Sequence, residues 1–223
     1  MVTLQLSQLD ISPGQRILLR NVNWQQFEEI LEDLGEHRGS RVAYSQGTLE
    51  IMSPLPEHEV IKGIVGDLVK ILLEELEIDC ESFGSTTFKR QDMERGVEPD
   101  ESFYIANYVQ MIGRSRIDLT VDPPPDLVIE IDITSKTQLE AYKALQVPEL
   151  WRFENGQLRI DVLQNDQYKE SSISPTFPEL PVIALITDFV AQARSLGRSR
   201  ALKAFRQWIR QWRAVRVNKN KYE

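Results

Sequence analysis

The chain has 223 residues, of which 41% are hydrophobic and 27% charged, a length and composition typical of one globular domain able to bury a core. Its single cysteine, Cys80, excludes an internal disulfide framework and is typical of a reducing compartment. No basic and then apolar leader opens the sequence, and no apolar run approaches about 18 residues. We therefore expect a cytoplasmic protein that neither is secreted nor spans a membrane.

The net charge of −8 is distributed unevenly along the chain. Residues 191–223 contain ten Lys and Arg against one acid, a charge of +9, so residues 1–190 contain 16 basic and 33 acidic groups, a charge of −17. We divide the chain accordingly into a domain over 1–190 and a basic tail over 191–223. Because residues 1–190 are so acidic, this region would need bound metal cations in order to bind a polyanion such as nucleic acid.

Helical spacing of apolar residues predicts two helices in the first third of the chain. The first follows Asn23 as its N-cap and ends at Gly35. Two short strands around the Gln46-Gly47 turn come next. The longest helix, over about 57–77, has a wide apolar face and is predicted to lie in the core.

The middle and later segments predict strands mixed with short helices. The predicted strands are ESFGSTTFKR (81–90), GVEPDESFYI (96–105) and PDLVIEID (125–132). A helix ending near Val147-Pro148 leads to a further strand, and Asn155-Gly156 predicts a hairpin into QLRIDVLQ. A short helix follows in VIALITDFVAQA. This order predicts an α+β fold.

The stretch PPPDLVIEIDITSKT, residues 123–137, has two different faces as a strand. Alternate side chains of a strand point to opposite faces, so isoleucines share one face and acids the other. The acidic face contains Glu130 and Asp132, whereas Asp126 follows Pro125 and is more typical of a turn. An edge strand whose acids face water is the alternative.

Two acidic strands follow one another closely in the sequence. Asp100 lies in EPDESFYI and Glu130 in PDLVIEID. Strands close in sequence usually pair, so both carboxylates could face one site beside the long helix. Carboxylates paired in this way are typical of magnesium sites, in which water and a substrate phosphate complete the coordination.

The order of long helix, Asp100 strand, Glu130 strand and helix resembles the core of the PD-(D/E)xK nucleases, the restriction-endonuclease-like superfamily. The chain is more closely similar to the Uma-two family of endonucleases. Five segments carry that likeness: SPLPEHEVI, EPDESFYI, PPPDLVIEIDITSKT, YKALQVPELWRF and FPELPV. It covers about 23–190, with further likeness in GRSRALKAFRQWIR.

The resemblance implies a central mixed sheet flanked by helices and a site that hydrolyses DNA phosphodiester bonds with Mg²⁺ or Mn²⁺. It implies Asp100 and Glu130 as metal ligands, with the backbone carbonyl of Ile131 as a further ligand. It also implies a homodimer, by analogy with nucleases that reach two strands.

The sequence departs from the superfamily pattern two residues after Glu130, where Asp132 stands in place of the catalytic lysine. Three replacements are possible: Lys136 reaches back from the following turn, Lys89 or Lys143 takes the place, or Asp132 binds a second ion. We favour Lys136, the nearest in sequence. A fourth possibility is that catalysis has been lost and the protein is an inactive nucleic-acid-binding or interaction module.

The start of the long helix and the helix after the acidic strand contain further candidates. Glu59 and His58 could bind the metal ion, although acids also stabilise a helix start through the macrodipole. Tyr142 could contact a phosphate, but its helical spacing after Leu139 is more typical of the core.

The tail has aromatic and aliphatic residues at spacings of three and four, with arginines around the rest of the helix, and predicts a basic amphipathic helix. One interpretation is that its apolar stripe packs on the body or on a second subunit while the arginines face water. The other is that its basic residues contact phosphate. The candidate DNA contacts are Lys89, Arg206, Arg210 and Arg213.

Overall fold

The computed structural model describes residues 9–35, 39–133 and 136–219, with side chains as far as residue 216. Within this part of the chain there are six α-helices and two β-sheets, which confirms the α+β prediction. The helices are α1 (Trp24–Leu34), α2 (Pro56–Glu75), α3 (Tyr108–Met111), α4 (Leu139–Ala144), α5 (Val182–Leu196) and α6 (Arg198–Lys219). The strands are β1 (Arg16–Arg20), β2 (Arg41–Ser45), β3 (Thr48–Met52), β4 (Glu81–Ser82), β5 (Phe88–Arg90), β6 (Arg95–Val97), β7 (Glu101–Tyr104), β8 (Leu127–Asp132), β9 (Glu149–Glu154), β10 (Gln157–Gln164) and β11 (Gln167–Ser171).

The larger sheet is mixed, with the strand order β11-β10-β9-β8-β7-β4. Its β8 and β9 are parallel and its other pairs antiparallel, and it is the central mixed sheet expected from the resemblance. The smaller sheet is antiparallel, with the order β1-β3-β2-β6-β5. The sequence did not predict this second sheet, because nothing in its short strands shows which strands they pair with.

Helices α2 and α5 cover one face of the mixed sheet, and α6 packs against both helices. The three helices and the sheet form the largest core cluster. Leu127, Ile129 and Ile131 of β8 belong to this cluster, as their shared face predicted. On the opposite face Val128 packs in a second cluster with Tyr142 of α4. The central strand is therefore buried on both sides, and its acids lie at the end of an otherwise apolar strand.

The local signals for the first helix are confirmed. The Asn23 side chain accepts a hydrogen bond from the Gln26 amide, and the Gln26 side chain accepts one from the Asn23 amide, both at 2.9 Å. This reciprocal capping satisfies two helix-end donors. Phe27 is buried and stacks on Tyr44 of β2 at 4.5 Å between ring centroids, which attaches α1 to the smaller sheet.

The prediction of one continuous strand over 96–105 was wrong. The chain leaves the smaller sheet after β6, passes through Glu98, Pro99 and Asp100, and enters the mixed sheet as β7. Pro99 has no N–H to donate to a ladder, and Glu98 accepts a hydrogen bond from the Val42 amide at 3.0 Å. This change of sheet places Asp100 where the two sheets meet.

The predicted tail comprises the last residues of α5 and the whole of α6. Gly197, with φ of +96°, separates the two helices in the left-handed region that suits glycine. Phe205 and Ile209 of α6 are fully buried in the main core cluster. In the part of the chain that the structure describes, no helix is long and apolar enough to span a membrane.

Candidate active site at the junction of the two sheets

Asp100 is buried, 3% exposed, and three groups contact its carboxylate. The Ile131 amide donates to Oδ2 at 2.8 Å, and His58 Nε2 lies 3.1 Å from the same oxygen. Arg41 Nη2 lies 3.1 Å from Oδ1. Asp100 also donates its own amide to the Ile129 carbonyl at 3.1 Å, so backbone and side chain together join it to β8.

The partners of Asp100 favour its ionised form. Burial alone would raise its pKa, but the hydrogen bond with His58, the charges of His58 and Arg41, and the Ile131 amide lower it below the ordinary value. For His58, burial would lower the pKa, but the hydrogen bond and charge of Asp100 and the charge of Glu59 raise it overall. Each group therefore favours the charged form of the other, and their nearest atoms lie 3.1 Å apart in the pocket wall.

Glu130 lies on β8, one residue before the amide that binds Asp100. The Tyr142 hydroxyl donates a hydrogen bond to its Oε1. Burial raises the pKa of Glu130 well above its ordinary value of 4.5, and the nearby charges of Asp100 and Asp132 raise it further. A carboxyl group held among acids in this way favours either a proton or a cation.

Asp132, which occupies the lysine position of the superfamily, forms a turn contact. Its Oδ1 accepts hydrogen bonds from the Thr137 amide at 3.0 Å and from the Thr137 hydroxyl at 2.6 Å. Burial raises the pKa of Asp132, although these bonds oppose the shift. The contact joins Thr137, the residue after Lys136, to the end of β8.

A pocket of about 60 Å³ connects these groups and has room for about two water molecules. Both sheets, the start of α2 and the segment before α4 contribute to its wall. Among its charged lining residues are Arg41, Glu50, His58, Glu98, Asp100, Glu130, Asp132 and Lys136. The sequence-predicted residues Asp100, Glu130, Ile131, Asp132, Lys136 and His58 therefore line one pocket.

The other predicted residues lie outside the pocket lining or are engaged elsewhere. The exposed Glu59 side chain lies beside the site, with Oε1 at 3.3 Å from His58 Nδ1. Lys89 Nζ lies 2.5 Å from Glu28, and Lys143 pairs with Glu140, so neither lysine contributes to the lining. The Ile131 carbonyl accepts a hydrogen bond from the Ile133 amide at 3.0 Å.

The predicted DNA-contacting arginines of α6 pair with acids at the end of α2. Arg206 and Arg210 contact Glu75 at 2.6 and 2.8 Å, and Arg213 lies 3.0 Å from Glu77. These arginines are ion-paired and still partly exposed to water, while the apolar stripe of α6 packs on the body as one interpretation expected. DNA contact by the arginines, and by Lys89, stays a prediction.

The donor set fits one divalent ion of the magnesium type. A carboxylate offers about four acceptor positions, and three groups contact Asp100, which leaves one position near Oδ1. Among the described residues only Tyr142 donates to Glu130, at Oε1. Magnesium is commonly held by one or two carboxylates, with water and phosphate in the remaining positions. No group of three or more His, Cys, Asp and Glu suited to a metal ion occurs among residues 9–35, 39–133 and 136–219.

Arg41 is the main feature of the site that sequence reasoning missed. It lies in β2, 59 residues before Asp100, in a strand whose alternation places Val42 and Tyr44 in the core and Arg41 on the other face. That pattern is typical of an arginine facing water. The guanidinium lies in the pocket because β2 pairs with β6, and β6 ends three residues before Asp100.

The chain is similar to one protein family and to a solved structure. The model of the Uma2 family, described as "Putative restriction endonuclease", matches residues 24–193, and the chain belongs to this family. Among solved structures, a "putative nuclease belonging to DUF820" from Anabaena variabilis ATCC 29413 is similar, with 17% sequence identity and a TM-score of 0.43. The alignment covers 61% of this chain and 83% of that one. The comparison with curated proteins finds no match.

Proposed function

We propose that the protein is a divalent-metal-dependent endonuclease that hydrolyses phosphodiester bonds in DNA. The observation that carries this proposal is the pair of carboxylates at the wall of one pocket, the buried Asp100 and the half-buried Glu130, with the Ile131 amide that follows Glu130 donating to Asp100. Membership of a family described as "Putative restriction endonuclease" supports the same reaction class and DNA as the substrate.

In this proposal Asp100 and Glu130 hold one Mg²⁺ or Mn²⁺, with the Ile131 carbonyl as a possible third oxygen. Such an ion polarises a phosphate, activates water and stabilises the leaving oxygen. His58 and the Ile131 amide fix the orientation of Asp100, and Tyr142 fixes that of Glu130. These contacts preorganise the two carboxylates, so that little rearrangement is needed before the reaction.

Lys136 takes the role of the superfamily's lysine in this proposal. It lines the pocket next to Thr137, whose amide and hydroxyl donate hydrogen bonds to Asp132. An ammonium there would balance the charge that develops at the phosphate and orient the attacking water. The alternatives Lys89 and Lys143 have partners outside the pocket.

A second candidate function is an inactive nuclease-fold protein that binds nucleic acid or another partner. One specific observation favours it: Asp132 replaces the lysine, which reverses a charge, and Thr137 engages the replacement as an ordinary turn acceptor. In that case the carboxylates would be retained for their structural contacts. Homodimer formation, expected by analogy, and the identity of the ion stay predictions.

Nicking of supercoiled plasmid tests the two candidates directly. We expect Mg²⁺- or Mn²⁺-dependent nicking by the wild type, lowered at least about a hundredfold in Glu130→Gln, because removing a metal-binding carboxylate costs catalysis on this order. The matched control is Glu170→Gln, the same change at an exposed position on β11. Product formation over time, with and without EDTA, gives the rates.

Equal nicking by wild type and Glu130→Gln would identify a contaminating nuclease and overturn the proposal. A folded wild type that binds DNA without nicking it under any divalent ion would favour the inactive module. The Lys136→Ala variant separates the lysine alternatives, because undiminished nicking would exclude Lys136 from the reaction.

A further inference from the structure

The guanidinium of Arg41 is built into the junction of the two sheets. Its Nη1 donates to the Pro99 carbonyl at 3.0 Å, and its Nη2 lies 3.1 Å from Asp100 Oδ1. A longer contact of 3.6 Å joins Nη2 to Glu59. Its side chain is 13% exposed, and it lines the pocket shared by Asp100 and Glu130. The Arg41 side chain is therefore held in place by the Pro99 carbonyl and the Asp100 carboxylate.

The pocket has a charge imbalance that gives Arg41 a specific role. The acids of its lining include Glu98, Asp100, Glu130 and Asp132, whereas its described Arg and Lys residues are Arg41 and Lys136. A polyanionic substrate entering this pocket needs positive charge on the protein as well as on an ion. Lys136 is exposed, whereas Arg41 is anchored at the base of the site.

We propose that Arg41 binds a non-bridging oxygen of the substrate phosphate, and that in the free protein it is the counter-ion of Asp100. This inference rests on the proposed function. A guanidinium has five N–H donors in a planar fork, of which the contacts to Pro99 and Asp100 use two. The fork matches phosphate geometry, and it can contact a phosphate while it stays bound to the Pro99 carbonyl.

The proposal predicts opposite changes in two affinities. Without the guanidinium, one of the two positive groups beside Asp100 is lost, so Mn²⁺ should bind Arg41→Gln about fivefold or more tightly than wild type. DNA should bind the same variant about tenfold more weakly, because a charged hydrogen bond to phosphate is lost. The salt dependence of DNA binding should become shallower by about one unit in the log–log slope. A residue with a purely structural role would weaken both affinities when replaced.

The two affinities are measured on the full chain. Mn²⁺ binding without DNA is followed through the electron paramagnetic resonance signal of the free ion. DNA binding is followed by fluorescence anisotropy of a labelled duplex with Ca²⁺, and a gel after each titration checks that the duplex is intact. The matched control is Arg159→Gln, the same charge change at an exposed position of β10. A second variant, Arg41→Lys, keeps the positive charge but lacks the planar set of N–H donors of the guanidinium.

Tighter Mn²⁺ binding together with weaker DNA binding in Arg41→Gln supports the proposal. If the wild type binds Mn²⁺ and either change is absent, the role of Arg41 is overturned and the metal site stands. A folded wild type that binds no Mn²⁺ overturns the metal site and this inference together. Should Arg41→Gln fail to fold, Arg41→Lys decides: weaker DNA binding with unchanged Mn²⁺ affinity supports the proposal, and unchanged DNA binding overturns it.

Discussion

At the scale of one residue, the proposed metal ligand Glu130 is expected to lower the stability of the fold that holds it. Its pKa is raised by burial and by the charges of Asp100 and Asp132, and the Tyr142 hydrogen bond offsets this only in part. The folded protein therefore binds a proton at Glu130 more tightly than the unfolded chain does. By linkage, stability falls as the pH rises above the ordinary glutamate value of 4.5.

We accordingly expect Glu130→Gln to stabilise the metal-free protein at pH 7 while it abolishes nicking. The neutral amide avoids the cost of the buried charge, and a gain of about 1 kcal/mol corresponds to a rise in Tm of about 2–4 °C for a chain of this length. The gain should shrink as the pH falls towards 4.5, where the wild-type carboxyl group becomes protonated. Thermal unfolding in EDTA at several pH values measures it, with Glu170→Gln as the control. A variant less stable than wild type at pH 7 would contradict the expectation.

At the scale of elements, the end of α2 and the basic face of α6 form one ion-pair cluster. Glu75 is at its centre, with Arg206 Nη1 at 2.6 Å and Arg210 Nε at 2.8 Å. The hydrogen bond with Arg210 is the main reason that the pKa of Glu75 is lowered to about 2, with Arg206 adding to the shift against the effect of burial. The positive charge of the tail is therefore partly neutralised by the acidic body.

Replacing Glu75 should weaken this attachment. We expect Glu75→Gln to lower the Tm at pH 7 by about 2–4 °C, since charge-assisted hydrogen bonds are each worth about 1.5–3 kcal/mol and the exposed arginines regain some hydration. A carboxyl group with a lowered pKa stabilises the fold above its ordinary value of 4.5, and this contribution is lost as the pH falls towards 2. The difference in Tm from wild type should therefore vanish in acid. A difference that is independent of pH would show that packing, rather than charge, is lost.

On the scale of the whole molecule, α6 closes the core. Phe205 is fully buried and contacts Phe189 of α5 at 4.8 Å between ring centroids, within the cluster that includes α2 and the mixed sheet. The division of the chain at residue 190 stays a prediction, but the described part of the tail shares its hydrophobic core with the body.

Truncating Phe205 should therefore destabilise the entire fold. We expect Phe205→Ala to cost about 3–5 kcal/mol, the range for a large buried aromatic side chain. Val215→Ala, on the same helix but 69% exposed, should change the free energy of unfolding by about 0.5 kcal/mol or less. Chemical denaturation with two spectroscopic probes measures both. A loss of helix signal without loss of the remaining structure would instead make α6 an independent unit.

The amino-acid sequence by itself determined the elements whose signals are local. Capping at Asn23, the apolar face of α2, the turn at Asn155-Gly156 and the two faces of β8 all follow from neighbouring residues, and the structure confirms them. The sequence also indicated Asp100 and Glu130 as candidate metal ligands. Carboxylates in otherwise apolar strands are unusual, and the family resemblance implied this role for both residues.

Tertiary structure alone decided how these residues meet. The crossing of the chain between sheets at Pro99 brings Arg41 to Asp100, and the packing of α4 brings the Tyr142 hydroxyl to Glu130. Neither contact has a sequence signal, because strand order and helix docking depend on long-range burial rather than on local periodicity. The same holds for α6, because no local pattern in the sequence shows that Arg206 and Arg210 pair with Glu75.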